Sequence, residues 1–235
     1  MKDIRLIGYA FTIAIALTAL AFHTPQAAAG ILIDQGPPNY LGGYASTPNF
    51  PGTPQFIADN FGVVAPLDIN TITFWGVYSD SIGTPVPPIA DAFTLYFYGD
   101  AGGKPGAVVA SEAFTATRVN TGIKDVFGGG TIMLDTYRYD ATFAPVSLGG
   151  GSYWLSVVNG GGSNADYWIW ATFSASGGFA VSLNSPTTGP WTNSPLGDLA
   201  FQLGFSAVPE PSSLGLTATG IGLLVATARR RLRRG

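Results

Sequence analysis

Leu199-Ala200-Phe201-Gln202-Leu203-Gly204-Phe205 decides the fold. Every odd position is large and apolar, and every even one is small or polar. A period of two belongs to a strand with one face in a core and the other toward water. Tyr137-Arg138-Tyr139-Asp140-Ala141-Thr142-Phe143 repeats the pattern, and Phe93 to Tyr98 sets Phe, Leu and Phe against Thr, Tyr and Tyr. The same reading puts strands at 31–34, 55–64, 69–78, 107–117, 131–136, 152–158, 166–173 and 178–183.

The breaks between these runs carry turn chemistry. Gly99-Asp100-Ala101-Gly102-Gly103-Lys104-Pro105-Gly106, Gly149-Gly150-Gly151 and Asn159-Gly160-Gly161-Gly162 are glycine-rich punctuation. No segment between 30 and 208 keeps an apolar period of 3.6 residues, and no internal repeat is visible. The expectation is an all-β domain: an antiparallel β-sandwich, jelly-roll-like, with a single closed barrel as the alternative. Composition agrees. Charged residues make up 11% of the chain, against a usual value of roughly 25%, while Gly (32), Pro (17) and 13% aromatics favour turns and strands.

Both ends read as addresses rather than as fold. Lys2 and Arg5 precede an apolar run from Leu6 to Phe22, and His23-Thr24-Pro25-Gln26 breaks it. Ala27 and Ala29 then stand at the −3 and −1 positions of a cleavage site before Gly30. Residues 1–29 are therefore expected to be a signal peptide cut by signal peptidase, with an uncleaved anchor as the alternative. At the other end Pro209-Glu210-Pro211 forms a stiff, extended element. Ser212 to Ala228 is uncharged and mostly apolar; as a helix at about 1.5 Å per residue it reaches roughly 25 Å, just short of a bilayer core. Arg229, Arg230, Arg231, Arg233 and Arg234 follow, and the positive-inside rule puts them in the cytoplasm. Three units are expected: signal segment 1–29, β-sandwich ectodomain 30–207, and tail 208–235. A signal helix and a transmembrane helix would flank the sandwich.

The triplet, the apolar stretch and the arginine cluster, in that order at the extreme C-terminus, resemble a PEP-CTERM sorting signal. The resemblance covers roughly the last 27 residues. It implies recognition by an exosortase, an integral-membrane protease of certain Gram-negative bacteria. It also implies an inner-membrane-anchored precursor, cleavage near the triplet, and delivery to the cell surface or extracellular matrix, often alongside exopolysaccharide. A retained anchor is the alternative. The order of strands from Ile72-Thr73-Phe74-Trp75 through the Asp100 turn to Tyr153-Trp154-Leu155 is similar to a sandwich domain common among such surface proteins. That likeness implies the fold and no catalytic residue.

Residues 30–207 hold four basic side chains (Lys104, Arg118, Lys124, Arg138) against twelve acidic ones, a balance of −8. Such a field repels a phosphate backbone, so nucleic acid is not an expected partner. The chain has no Cys, and its one His, His23, lies in the signal segment. That excludes Ser-His-Asp and Cys-His catalysis in the mature domain, and thiolate or imidazole metal sites. Calcium, which takes oxygen ligands alone, is the ion that would suit acidic loops. Glu112 is the domain's only glutamate and is expected on a strand's solvent face. Asp34, Asp59, Asp80, Asp91, Asp100 and Asp166 lie near strand ends, where turn capping is their ordinary role.

The leading expectation is a non-catalytic structural or interaction protein. The alternative is a lectin-like module, calcium-dependent or not, with Trp168 and Trp170 sharing one strand face as a stacking platform. Burial of both indoles in the core is the competing reading of that pair. A carboxylate-dependent glycan hydrolase is the weakest reading.

Overall fold

The computed structural model describes residues 30–48, 50, 53–80, 84, 91–127, 130–161, 166–174, 178–194 and 197–205. The signal-peptide and sorting-tail expectations, with Ala27, Ala29, Pro209, Glu210, Pro211 and the five terminal arginines, lie outside the described residues. All described strands fall within the compact unit Gly30–Ser206.

In chain order the strands are β1 Gly30–Asp34, β2 Gly43–Ala45, β3 Phe56–Val63, β4 Leu67–Asp80, β5 Phe93–Asp100, β6 Pro105–Phe114, β7 Thr117–Phe127, β8 Ile132–Leu148, β9 Gly151–Asn159, β10 Asp166–Ser174, β11 Phe179–Ser182, β12 Thr192–Ser194, β13 Asp198–Leu199 and β14 Phe201–Phe205. They form two antiparallel sheets in a sandwich-like arrangement. In the first, β4 is the hub: β8 runs along one edge, and β14 and β10 share the other. The second runs β12-β11-β3-β9-β5-β6.

Alternation explains which faces meet. Leu199, Phe201 and Leu203 are fully buried in the main core, as are Leu95, Phe97 and Tyr139. Leu95 and Phe97 belong to the second sheet with Ile57, Phe61, Leu155 and Val157, and together these face Leu199, Phe201, Leu203 and Tyr139 of the first. Phe74 stacks on Tyr139 with ring centroids 4.9 Å apart, and meets Phe93 edge-on at 5.0 Å. Each large side chain removed from water contributes about 1.5–3 kcal/mol before the entropic cost of ordering. The apolar period therefore selects the sandwich.

Two expected runs, 131–136 and 137–143, are one strand of 17 residues, β8. It is long because both of its edges are paired, with β4 and β7. Strand β7 escaped the sequence reading. Its pattern is mostly exposed or half-buried, so Thr117–Phe127 shows no apolar alternation. Glu112 also needs correction. It sits opposite Leu95, whose side chain points into the core, so the register turns Glu112 toward the inner face, half-buried on edge strand β6.

Candidate functional site

The expected stacking platform does not form. Trp168 is 1% exposed and Trp170 0%. The alternation that puts both indoles on one face of β10 points that face inward, against Phe74, Phe93 and Phe201. The indole N–H of Trp170 donates to the carbonyl of Ala200 at 2.9 Å. Neither ring can meet a ligand, and the two are core.

The outer face of the second sheet behaves differently. Strand β3 sends Ile57, Asp59 and Phe61 inward and Phe56, Ala58, Asn60 and Gly62 outward. At one end of this outer face a small second core gathers Phe56, Ala58, Tyr98, Trp154 and Trp191. The Tyr98 hydroxyl donates to the carbonyl of Pro186 at 2.7 Å, tying the 183–191 loop to the sheet. The apolar cover stops at Trp154.

Beyond it a cleft of about 720 Å³ opens. The pairing register builds its floor, with Asn60 opposite Trp154 and Gly62 opposite Ser152. One wall is the turn from Asp100 to Gly103, and the other is Asn193 and Ser194 on β12. The Asn193 side-chain amide donates to the carbonyl of Gly103 at 2.8 Å, so the two walls are joined. Gly62 keeps the floor open: a Cβ added there would meet no atom within 4 Å.

Asp100 is fixed in place. The Trp154 indole N–H donates to its Oδ1 at 2.8 Å, and the Gly103 N–H lies 3.1 Å from both carboxylate oxygens. These bonds, that of Trp154 first, hold its carboxyl below the ordinary value, so it is ionised at neutral pH. The exposed Asn60 side-chain amide makes no hydrogen bond to the described residues, while its backbone carbonyl accepts from Gln35 and its backbone N–H donates to Asp59. Asp100 is the single carboxylate on the described lining, so the two-carboxylate arrangement of a glycoside hydrolase is not formed there.

Five of the other acidic residues fall into three kinds. Asp34 accepts the Gly36 N–H at 2.7 Å and Asp80 the Thr84 N–H at 2.6 Å, both as turn caps. Asp91 accepts from Tyr78 and from Arg118, the latter at 2.7 Å, and Asn159 donates to the Tyr78 hydroxyl at 3.0 Å. The Asn159 side-chain carbonyl in turn accepts the N–H groups of Ala92 and Gly161, tying the network to the backbone. Asp59 and Asp125 are buried carboxyls held by backbone N–H groups. Among the described residues, no three or more His, Cys, Asp or Glu side chains gather as metal ligands. Asp166 opens β10.

Of the cleft residues, the sequence reading had singled out Asp100 alone. The alternation Phe56, Ala58, Asn60, Gly62 carried the missed signal: an outward face that turns from apolar to polar and bare along one strand. A comparison with known protein families finds no match, and none of the curated proteins matches the chain either.

Proposed function

We propose that this chain is an exported surface or extracellular-matrix protein of a Gram-negative bacterium, with a non-catalytic structural or interaction role linked to exopolysaccharide. The observation that carries the reading is the order of the C-terminal elements: Pro209-Glu210-Pro211, an apolar stretch, then five arginines, directly behind a folded β unit that ends at Ser206. On this reading the sandwich, jelly-roll-like and flanked by a signal helix and a membrane helix, is the payload. Signal peptidase frees Gly30, the first residue of β1. The tail holds a precursor in the inner membrane until an exosortase cuts near the triplet. Charge supports an extracellular partner that is not nucleic acid.

The test is delivery. The full chain, tagged at its C-terminus, is expressed in a Gram-negative host that carries an exosortase. The wild type is expected to lose the tag and reach the surface. Replacing Pro209, Glu210 and Pro211 together with Ala is expected to leave a tagged, inner-membrane form. Recovery of the wild-type chain from the cytosol with both ends intact overturns the reading.

A second reading, a lectin-like module, is favoured by the cleft between the Asp100 turn and β12. It replaces the Trp168/Trp170 platform that burial removes.

A further inference from the structure

We propose that the cleft floored by Asn60 and Gly62 and walled by Asp100 and Asn193 binds a neutral, hydroxyl-rich glycan. The inference rests on reading the domain as an interaction module, and it names that module's ligand class.

Size comes first. A volume of about 720 Å³ lies within the roughly 300–1,000 Å³ of small-ligand sites. The donor and acceptor set comes second. The carboxylate of Asp100 is a fixed acceptor, because Trp154 and Gly103 orient it before any ligand arrives. The Asn60 amide offers both a donor and an acceptor that the described protein leaves unused. Ser152, on the same face of the sheet as Gly62, adds a hydroxyl. Adjacent sugar hydroxyls present this mixture of donors and acceptors in return, and a preoriented site loses little entropy on binding.

Other ligand classes fit less well. The described lining carries no Lys or Arg, and the whole domain is acidic, so uronates and phosphates are repelled. An apolar peptide anchor needs a deep greasy pocket. Here Trp154, the outward-facing aromatic of the lining, is only 3% exposed, and Phe179 belongs to the main core. A thin apolar border beside polar groups suits the C–H patches of a sugar ring. The floor also lies on paired strands, which hold a site more precisely than loops do.

The experiment uses the full chain, purified in a detergent without sugar headgroups and fluorescently labelled, on an array of neutral and uronate-containing oligosaccharides. Free monosaccharides serve as competitors, to separate recognition of a single sugar unit from recognition of a chain. The wild type is expected to retain neutral oligosaccharides. Asn60→Ala and Asp100→Asn are expected to weaken that binding at least tenfold. Gly62→Trp is expected to abolish it in a protein that still unfolds cooperatively, since a Cβ at Gly62 meets no atom within 4 Å. Three results overturn the proposal: no neutral glycan retained, acidic glycans alone retained, or neutral binding undiminished in a folded Gly62→Trp protein. A chain that is delivered and processed yet binds no neutral glycan sinks the site and leaves the export reading standing. A chain that binds but is never delivered does the reverse.

Discussion

The carboxylate of Asp59, on β3 of the six-stranded sheet, accepts the backbone N–H of Leu199, on β13 of the other sheet, at 2.6 Å. Its other oxygen accepts the Asn60 N–H at 2.8 Å. The side chain is fully buried, so this is a polar rivet between two apolar faces.

That rivet makes stability depend on pH. Burial, with the nearby Asp198 charge adding to it, pushes the Asp59 carboxyl from 3.8 up to about 8. The folded chain therefore holds the proton more tightly than the unfolded one. The contribution is complete below pH 4 and is lost as pH rises toward 8. Asp125 acts in the same direction, being raised by burial to about 6. Urea midpoints are expected to fall from pH 5 to pH 9. In Asp59→Asn the amide places an N–H donor against a backbone donor, costing about 1–3 kcal/mol at pH 5. The gap to wild type is expected to narrow at pH 9, where the wild-type carboxylate is charged. A gap that widens with pH contradicts this assignment.

The two core tryptophans are not equivalent. Trp170 donates its N–H to Ala200, whereas the Trp168 N–H is buried with no hydrogen-bond partner among the described residues. Replacing Trp170 with Phe strands a buried carbonyl; replacing Trp168 with Phe removes a stranded donor. Volume loss is the same in both. Trp170→Phe is expected to destabilise the fold more than Trp168→Phe, by about 1–3 kcal/mol in equilibrium unfolding. Equal losses would mean that packing alone sets the cost.

This difference also marks where the sequence stops being legible. Alternation at Phe93–Tyr98, Tyr137–Phe143 and Leu199–Phe205 identifies strands and the face of each that seeks a core. It cannot say whether Trp168 and Trp170 form that core or stand outside it, because a period of two is the same on either face. Register decides, and register depends on strands far apart in the chain. Asn60 and Asn193, 133 positions apart, line one cleft only because β11 pairs with both β3 and β12. Strand β7 stayed hidden for another reason: an edge hairpin with little buried surface carries no apolar signal.

Gly76 tests the packing around Trp168 directly. A Cβ built at Gly76 would lie 2.4 Å from the Trp168 Nε1, and that indole is wedged among Phe74, Phe93 and Tyr139. It cannot swing aside as a surface side chain would. Gly76→Ala is expected to cost about 1–3 kcal/mol through overpacking. Combining it with Trp168→Phe is expected to recover part of that loss, because the smaller ring vacates the space. Strict additivity in a double-mutant cycle would place the strain elsewhere.

The bond from Trp154 to Asp100 carries the last prediction. It is the leading cause of the low Asp100 pKa, ahead of the Gly103 amide. Trp154→Phe keeps an aromatic ring in the outer-face cluster but deletes the N–H. The Asp100 carboxyl is then expected to titrate closer to its ordinary value of 3.8, read from its side-chain carbon shift by NMR across pH 2–6. The turn that the carboxylate caps is expected to loosen as well, with faster amide exchange at Gly103. Asp100 is solvent-exposed, so global stability should respond to the lost ring volume and not to the lost charge–dipole contact. An Asp100 titration unmoved in Trp154→Phe would show that the backbone N–H of Gly103 suffices to hold the anion. The cleft wall would then be set by its turn and not by the sheet behind it.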